Sequence, residues 1–106
     1  MICGPEADSN SMDVANGFET ELGDGPWKIV YKSHVKSWTP ENGTQAVADA
    51  FAGTEEEIDA VMCGNDGLAG YVIRSLSERQ LAGDVVVVGQ DADLEACQRI
   101  VEGPRL

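Results

Sequence analysis

Short apolar runs and helix-patterned segments alternate four times along the chain, and each apolar run ends in glycine or a polar cluster. The first run is Met1 to Cys3. Beyond Gly4-Pro5, Met12, Val14 or Ala15, Phe18 and Leu22 recur at helical spacing, which predicts a helix from about Ser9 to Leu22 with Asp8 or Ser9 as its cap. The second run, Trp27 to Val35, alternates: Trp27, Ile29, Tyr31 and Val35 share one face, and Lys28, Lys32, His34 and Lys36 the other, solvated one. Pro40 suits the first turn of a helix that turns Ala46, Val47, Ala50 and Phe51 inward and stops near Gly53. The third run, Ile58 to Cys63, leads through Gly64-Asn65-Asp66-Gly67 into a helix with Leu68, Val72, Ile73 and Leu76. The fourth, Val85 to Val88, leads through Gly89-Gln90-Asp91 into a helix from about Ala92 to Glu102, with Leu94, Cys97, Ile100 and Val101 apolar.

Strands joined by helices pair in parallel through right-handed crossovers, so the expected class is α/β: a Rossmann-like open parallel sheet with helices on both faces. The Lys-bearing second strand reads as an edge protected by charge and the other three as more interior, which gives the order 2-1-3-4. That order leaves the four valines from Val85 to Val88 on the far edge, where unpaired backbone groups invite association. The chain also opens directly on an apolar strand and closes just after a helix. The expectation is one domain over residues 1–106, incomplete at both ends or completed by a partner chain.

Charge narrows the partners. Nineteen Asp and Glu against seven Lys and Arg leave a formal charge of −12, which repels DNA and RNA and fits a strongly solvated surface or adaptation to high salt. No apolar run approaches the ~20 residues of a membrane span, and the first residues lack the basic-then-apolar pattern of a secretory signal. Cys3, Cys63 and Cys97 have no metal-ligand spacing and only His34 as an imidazole partner, so no metal site is expected. They read first as core or helix residues, and second as half of a Cys-His nucleophile pair. No acid-base pair is recognisable by spacing, and neither catalysis nor a cofactor is expected.

Ligands of open parallel sheets bind beyond the carboxyl ends of the strands. There this sequence places Asp8 and Asn10 after the first strand, Trp38 after the second, Asn65 after the third and Asp91 after the fourth. Carboxylates and amides pair with neighbouring hydroxyls while an aromatic face packs on C–H groups, a mixture that suits a sugar. A phosphate would need cations or a glycine-rich loop, and neither is present. Each residue also has a structural explanation: Asp8, Asp66 and Asp91 as helix caps, Asn65 as a turn residue, Trp38 as a buried anchor. Capping accounts for any one of them, but less readily for polar or aromatic groups at all four strand ends.

Gly4-Pro5-Glu6-Ala7-Asp8-Ser9-Asn10, Trp38-Thr39-Pro40-Glu41-Asn42, Ile58-Asp59-Ala60-Val61 with Gly64-Asn65-Asp66-Gly67-Leu68-Ala69-Gly70, and Gly89-Gln90-Asp91-Ala92-Asp93-Leu94 followed by Gln98-Arg99-Ile100-Val101 resemble, in order, the C-terminal lobe of periplasmic D-xylose-binding proteins. These are substrate-binding components of ABC sugar importers in the type I periplasmic binding protein family. The resemblance implies an incomplete lobe of that fold. It implies that Asp8, Asn10, Asn65 and Asp91 bond sugar hydroxyls, that Trp38 stacks on the ring, and that the full-length protein works in the periplasm or outside the cell with a missing N-terminal lobe and a membrane permease. The helix from Ser9 to Leu22 departs from the pattern in having no Arg, where many relatives place a sugar-binding one. The ligand-sensing domain of a LacI-type regulator is the alternative, because the Asn65-Asp66-Gly67 segment is shared with such domains. Repressors usually carry an aromatic residue in place of Gln90. A receiver-like or flavodoxin-like domain fits less well, since no Lys follows the fourth strand and no phosphate loop the first.

Overall fold

A computed structural model describes residues 1–103 of the chain; the expected chain end at residues 104–106 lies outside them. The order is β1 (Ile2–Cys3), α1 (Ser9–Leu22), β2 (Ser33–His34), α2 (Pro40–Gly53), β3 (Ala60–Met62), α3 (Asp66–Glu78), β4 (Val86–Val88) and α4 (Leu94–Glu102). Each of the first three helices starts where a side chain takes up an otherwise unpaired backbone donor. Asp8 accepts the Asn10 N–H at 2.9 Å, Thr39 that of Asn42 at 3.3 Å, and Asn65 that of Leu68 at 2.8 Å. Pro40 occupies the first turn of α2, where its missing N–H costs nothing. Gly23, at φ 47°, ends α1 in the left-handed region that glycine adopts without strain.

All pairing is parallel. β1 pairs with β2 in the register Ile2↔Ser33 and Cys3↔His34, and β3 with β4 from Ala60↔Val86 to Met62↔Val88. In place of one continuous four-stranded ladder, these two pairs are joined by a single bridge between Ile2 and Cys63, where the Gly64 N–H donates to the Ile2 carbonyl at 3.0 Å. The second strand is much shorter than the alternation from Trp27 to Val35 predicts. Its register sets Ser33 beside Ile2 and His34 beside Cys3, and Trp27, expected inward, is 63% exposed. His34 is a second departure: half-buried rather than on a wet face, it donates from Nδ1 to the Gly4 carbonyl at 2.8 Å.

The core explains the layering. Ile2, Val61, Cys63 and Val85 from the strand segments meet Ala46 and Val47 of α2 and Leu68, Ala69, Val72 and Leu76 of α3 in one buried cluster. Leu68, Val72 and Leu76 follow each other at four-residue steps, and each contributes roughly 1.5–3 kcal/mol by leaving water. Cys3 and Met62 alternate with these strand residues and are buried on the opposite face, where α1 packs against β1 with Ala15 buried. Beyond β1 that face is bare: Ala60, Val86 and Val88 are exposed. On the α3 side, α4 leaves an open recess of about 400 Å³ between itself, α3 and β4, lined by Ile73, Leu76, Val85, Val87 and Ile100 among others.

Candidate functional site

Three helix starts and the end of β4 converge on one open recess of about 450 Å³. Asp8, Asn10, Trp38, Asn65 and Asp91, drawn from four separate strand ends, all line it. Asp8 spends one carboxylate oxygen on its cap bond to Asn10, and Asn65 spends its side-chain carbonyl on Leu68, which leaves the Asn65 NH₂ as a donor. Capping and ligand contact are therefore compatible roles for these two side chains.

Trp38 is half-buried and seated on glycine. A Cβ placed on Gly4 would fall 2.1 Å from Trp38 Cη2 and 2.2 Å from Ser11 Oγ, and one on Gly64 would fall 3.4 Å from Cη2. No real Cβ tolerates the first two distances. Glycine at position 4 is thus the condition for the indole edge to lie over the ends of β1 and β3.

Asp91 is held by a device the sequence did not disclose. It and Ala92 have φ of 104° and 59°, a left-handed pair of non-glycine residues costing on the order of 1–3 kcal/mol each. Asp66 clamps this turn at both ends. Its N–H donates to the Gln90 carbonyl and its Oδ2 accepts from the Asp93 N–H, both at 2.8 Å. Gly89 makes room, since a Cβ there would fall 2.4 Å from Asp66 Oδ1. The capping roles expected of Asp66 and Asp91 are accordingly corrected: Asn65 caps α3, and Asp93 is the cap residue of α4. Asp66→Ala is expected to lower stability by about 1–3 kcal/mol through the orphaned N–H and the released turn, measured as a drop in melting temperature; Asp66→Asn, which keeps an acceptor, should lose less.

Ser11, Asp13, Val14, Gly64 and Gln90 complete the lining. Sequence reasoning named Asn10 but not its neighbours on α1; Ser11, Asp13 and Val14 lie with it in the first turns of that helix, and that clustering is the signal that extends the site along it. Asp8, Asp13 and Asp91 are its ionisable members and none of the lining residues is basic, so the recess disfavours anions and suits a neutral ligand with hydroxyls to donate. The Cys3 and Cys63 thiols are poor nucleophiles: burial pushes Cys63 up to about 12 and raises Cys3, which keeps both uncharged near neutral pH. Among the described residues no group of three His, Cys, Asp or Glu is placed to hold a metal ion, and no helix is long and apolar enough to cross a membrane.

The chain is similar to known proteins in both sequence and fold. Residues 1–104 match a family model described as a periplasmic binding protein domain. A D-xylose-binding periplasmic protein of Haemophilus influenzae is 40% identical over 107 aligned positions, covering 97% of this chain and 32% of that protein. Its namesake in Escherichia coli K12 is 40% identical over 79, covering 74% of this chain and 24% of that protein. The chain thus spans about a quarter to a third of the length of these relatives. In three dimensions it is similar to an ABC transporter solute-binding protein from Bacillus halodurans C-125 with bound myo-inositol, with TM-score 0.78 and 25% identity over 97% of this chain and 36% of the other. It is also similar in fold to the E. coli transcriptional repressor ascG, with TM-score 0.77 and 23% identity over 93% of this chain and 36% of the repressor.

Proposed function

The chain belongs to the periplasmic binding protein domain family, and from that premise we propose that it forms one wall of a monosaccharide site, in a receptor that hands D-xylose or a related sugar to an ABC permease. The observation that carries this reading is the convergence of Asp8, Asn10, Trp38, Asn65 and Asp91 from four strand ends on one recess. Two carboxylates accept from sugar hydroxyls, the Asn65 and Asn10 amides donate to them, and the indole offers its face to the ring C–H groups. The relatives' names support D-xylose, and the inositol bound to the Bacillus halodurans protein supports a cyclic polyol more generally. The chain binds and does not catalyse; in full-length form it works in the periplasm, with a second lobe forming the opposite wall and closing by a hinge.

Titration of ¹⁵N-labelled chain with D-xylose to about 50 mM tests the assignment, since a one-walled site is expected to bind in roughly the millimolar range. Amide shifts should concentrate at the five residues and at Ser11 and Gln90. Saturable shifts centred on the recess beside Ile73 and Ile100, or no shifts at all, would remove the assignment.

A further inference from the structure

Ser11 carries the one lining side chain whose polar atom is buried without a hydrogen-bond partner among the described residues: the residue is 4% exposed, and Oγ meets no acceptor or donor. Serine in a helix ordinarily bonds its own backbone one turn back or faces water. Ser11 does neither. The Cβ that Gly4 lacks would fall 2.2 Å from Ser11 Oγ and 2.1 Å from Trp38 Cη2, so the hydroxyl and the indole edge share the space beside Gly4, and an unpaired buried hydroxyl is a standing cost to the fold. A methyl group would satisfy the packing of α1 on β1 as well as a hydroxyl does. Its position beside the indole edge, among the residues lining the recess, supplies a use for the hydroxyl that packing does not.

Resting on the sugar-binding reading above, we infer that Ser11 is a specificity-determining residue of the site. A sugar stacking on Trp38 tilts the indole edge away from Gly4, uncovers Ser11 Oγ and completes its hydrogen bonding with one ring hydroxyl. The fold carries the unpaired group, and the ligand relieves it.

Stability and affinity then move in opposite directions in one variant. In the chain of residues 1–106, Ser11→Ala is expected to raise the melting temperature by about 2–8 °C, because the orphan group is gone, and to weaken D-xylose binding by roughly 5- to 10-fold in an NMR titration. A panel of mono-deoxy D-xyloses supplies the readout that a purely structural role would not move. One analogue should lose the same factor against the parent chain and lose nothing further against Ser11→Ala. A lower melting temperature, a failure to fold, or equal D-xylose affinity in parent and variant overturns the role of Ser11 while the site stands. Absence of any D-xylose response in the parent chain overturns the site and this inference together.

Discussion

Trp38→Ala, made in a two-lobed receptor carrying this lobe, is expected to weaken D-xylose binding by about 1–3 kcal/mol, or roughly 5- to 150-fold in dissociation constant. The magnitude follows from how the ring is held. Gly4 and Gly64 leave room for the benzo edge of the indole beside the recess, so an aromatic surface of this size is present there for a sugar to pack on. Truncation removes the stacking surface and also opens the space above Ser11. Calorimetry on the variant, beside its melting temperature, separates the roles: a platform loses affinity, whereas an anchor that merely joins β2 to α2 loses stability and leaves affinity unchanged. Unchanged affinity would return Trp38 to the core.

The legibility of this chain depends on the range of the interactions involved. α1 runs from Ser9 to Leu22 and α2 from Pro40 to Gly53, as predicted, because their limits are set by neighbours in sequence: Asp8 and Gly23 for the first, Thr39 and Pro40 for the second. That the five candidate residues share one recess was readable because strand ends lie together on one side of any open parallel sheet, whatever the details of the strands. β2 is shorter than its alternation suggests because alternation reports a segment's suitability for a strand, and pairing depends on contacts distant in sequence. Asp66 was misassigned for a related reason. Its bond to the Asp93 N–H spans 27 residues, and no local pattern distinguishes a helix-start carboxylate that caps from one that clamps a distant turn. Ser11 is set apart by its burial and by its place beside Gly4, where the Trp38 edge also lies, and neither is legible from its neighbours in sequence.

The isolated chain is expected to bind sugar weakly and to self-associate in a salt-dependent way. Weak binding follows from the open recess: one wall leaves water competing at each sugar hydroxyl, and the groups act without the low-dielectric surroundings that strengthen them, so a dissociation constant of roughly millimolar or weaker, about −4 kcal/mol, is expected. Self-association follows from β4 and α4. Val86 is 63% exposed and lies beside exposed Val88 and Ala60 on the bare face of the β3–β4 pair, and Ile100 on α4 is 81% exposed, with Leu94 and Val101 similarly uncovered. β4 pairs only with β3 among the described residues, so its outer backbone groups can template a second copy of the chain. Against this stands the formal charge of −12, which repels like copies at low ionic strength and is screened within ~10 Å at 0.1 M salt. Light scattering should therefore report monomer at low salt and growing mass as salt rises, and Val86→Lys should hold the chain monomeric by placing a charge on the bare face beside that edge. The same samples in the calorimeter should show no tight binding of D-xylose, D-ribose or D-glucose. Micromolar affinity in a monomer that stays monodisperse at high salt would mean that this one wall closes its own site and that the exposed valines are tolerated without a cover.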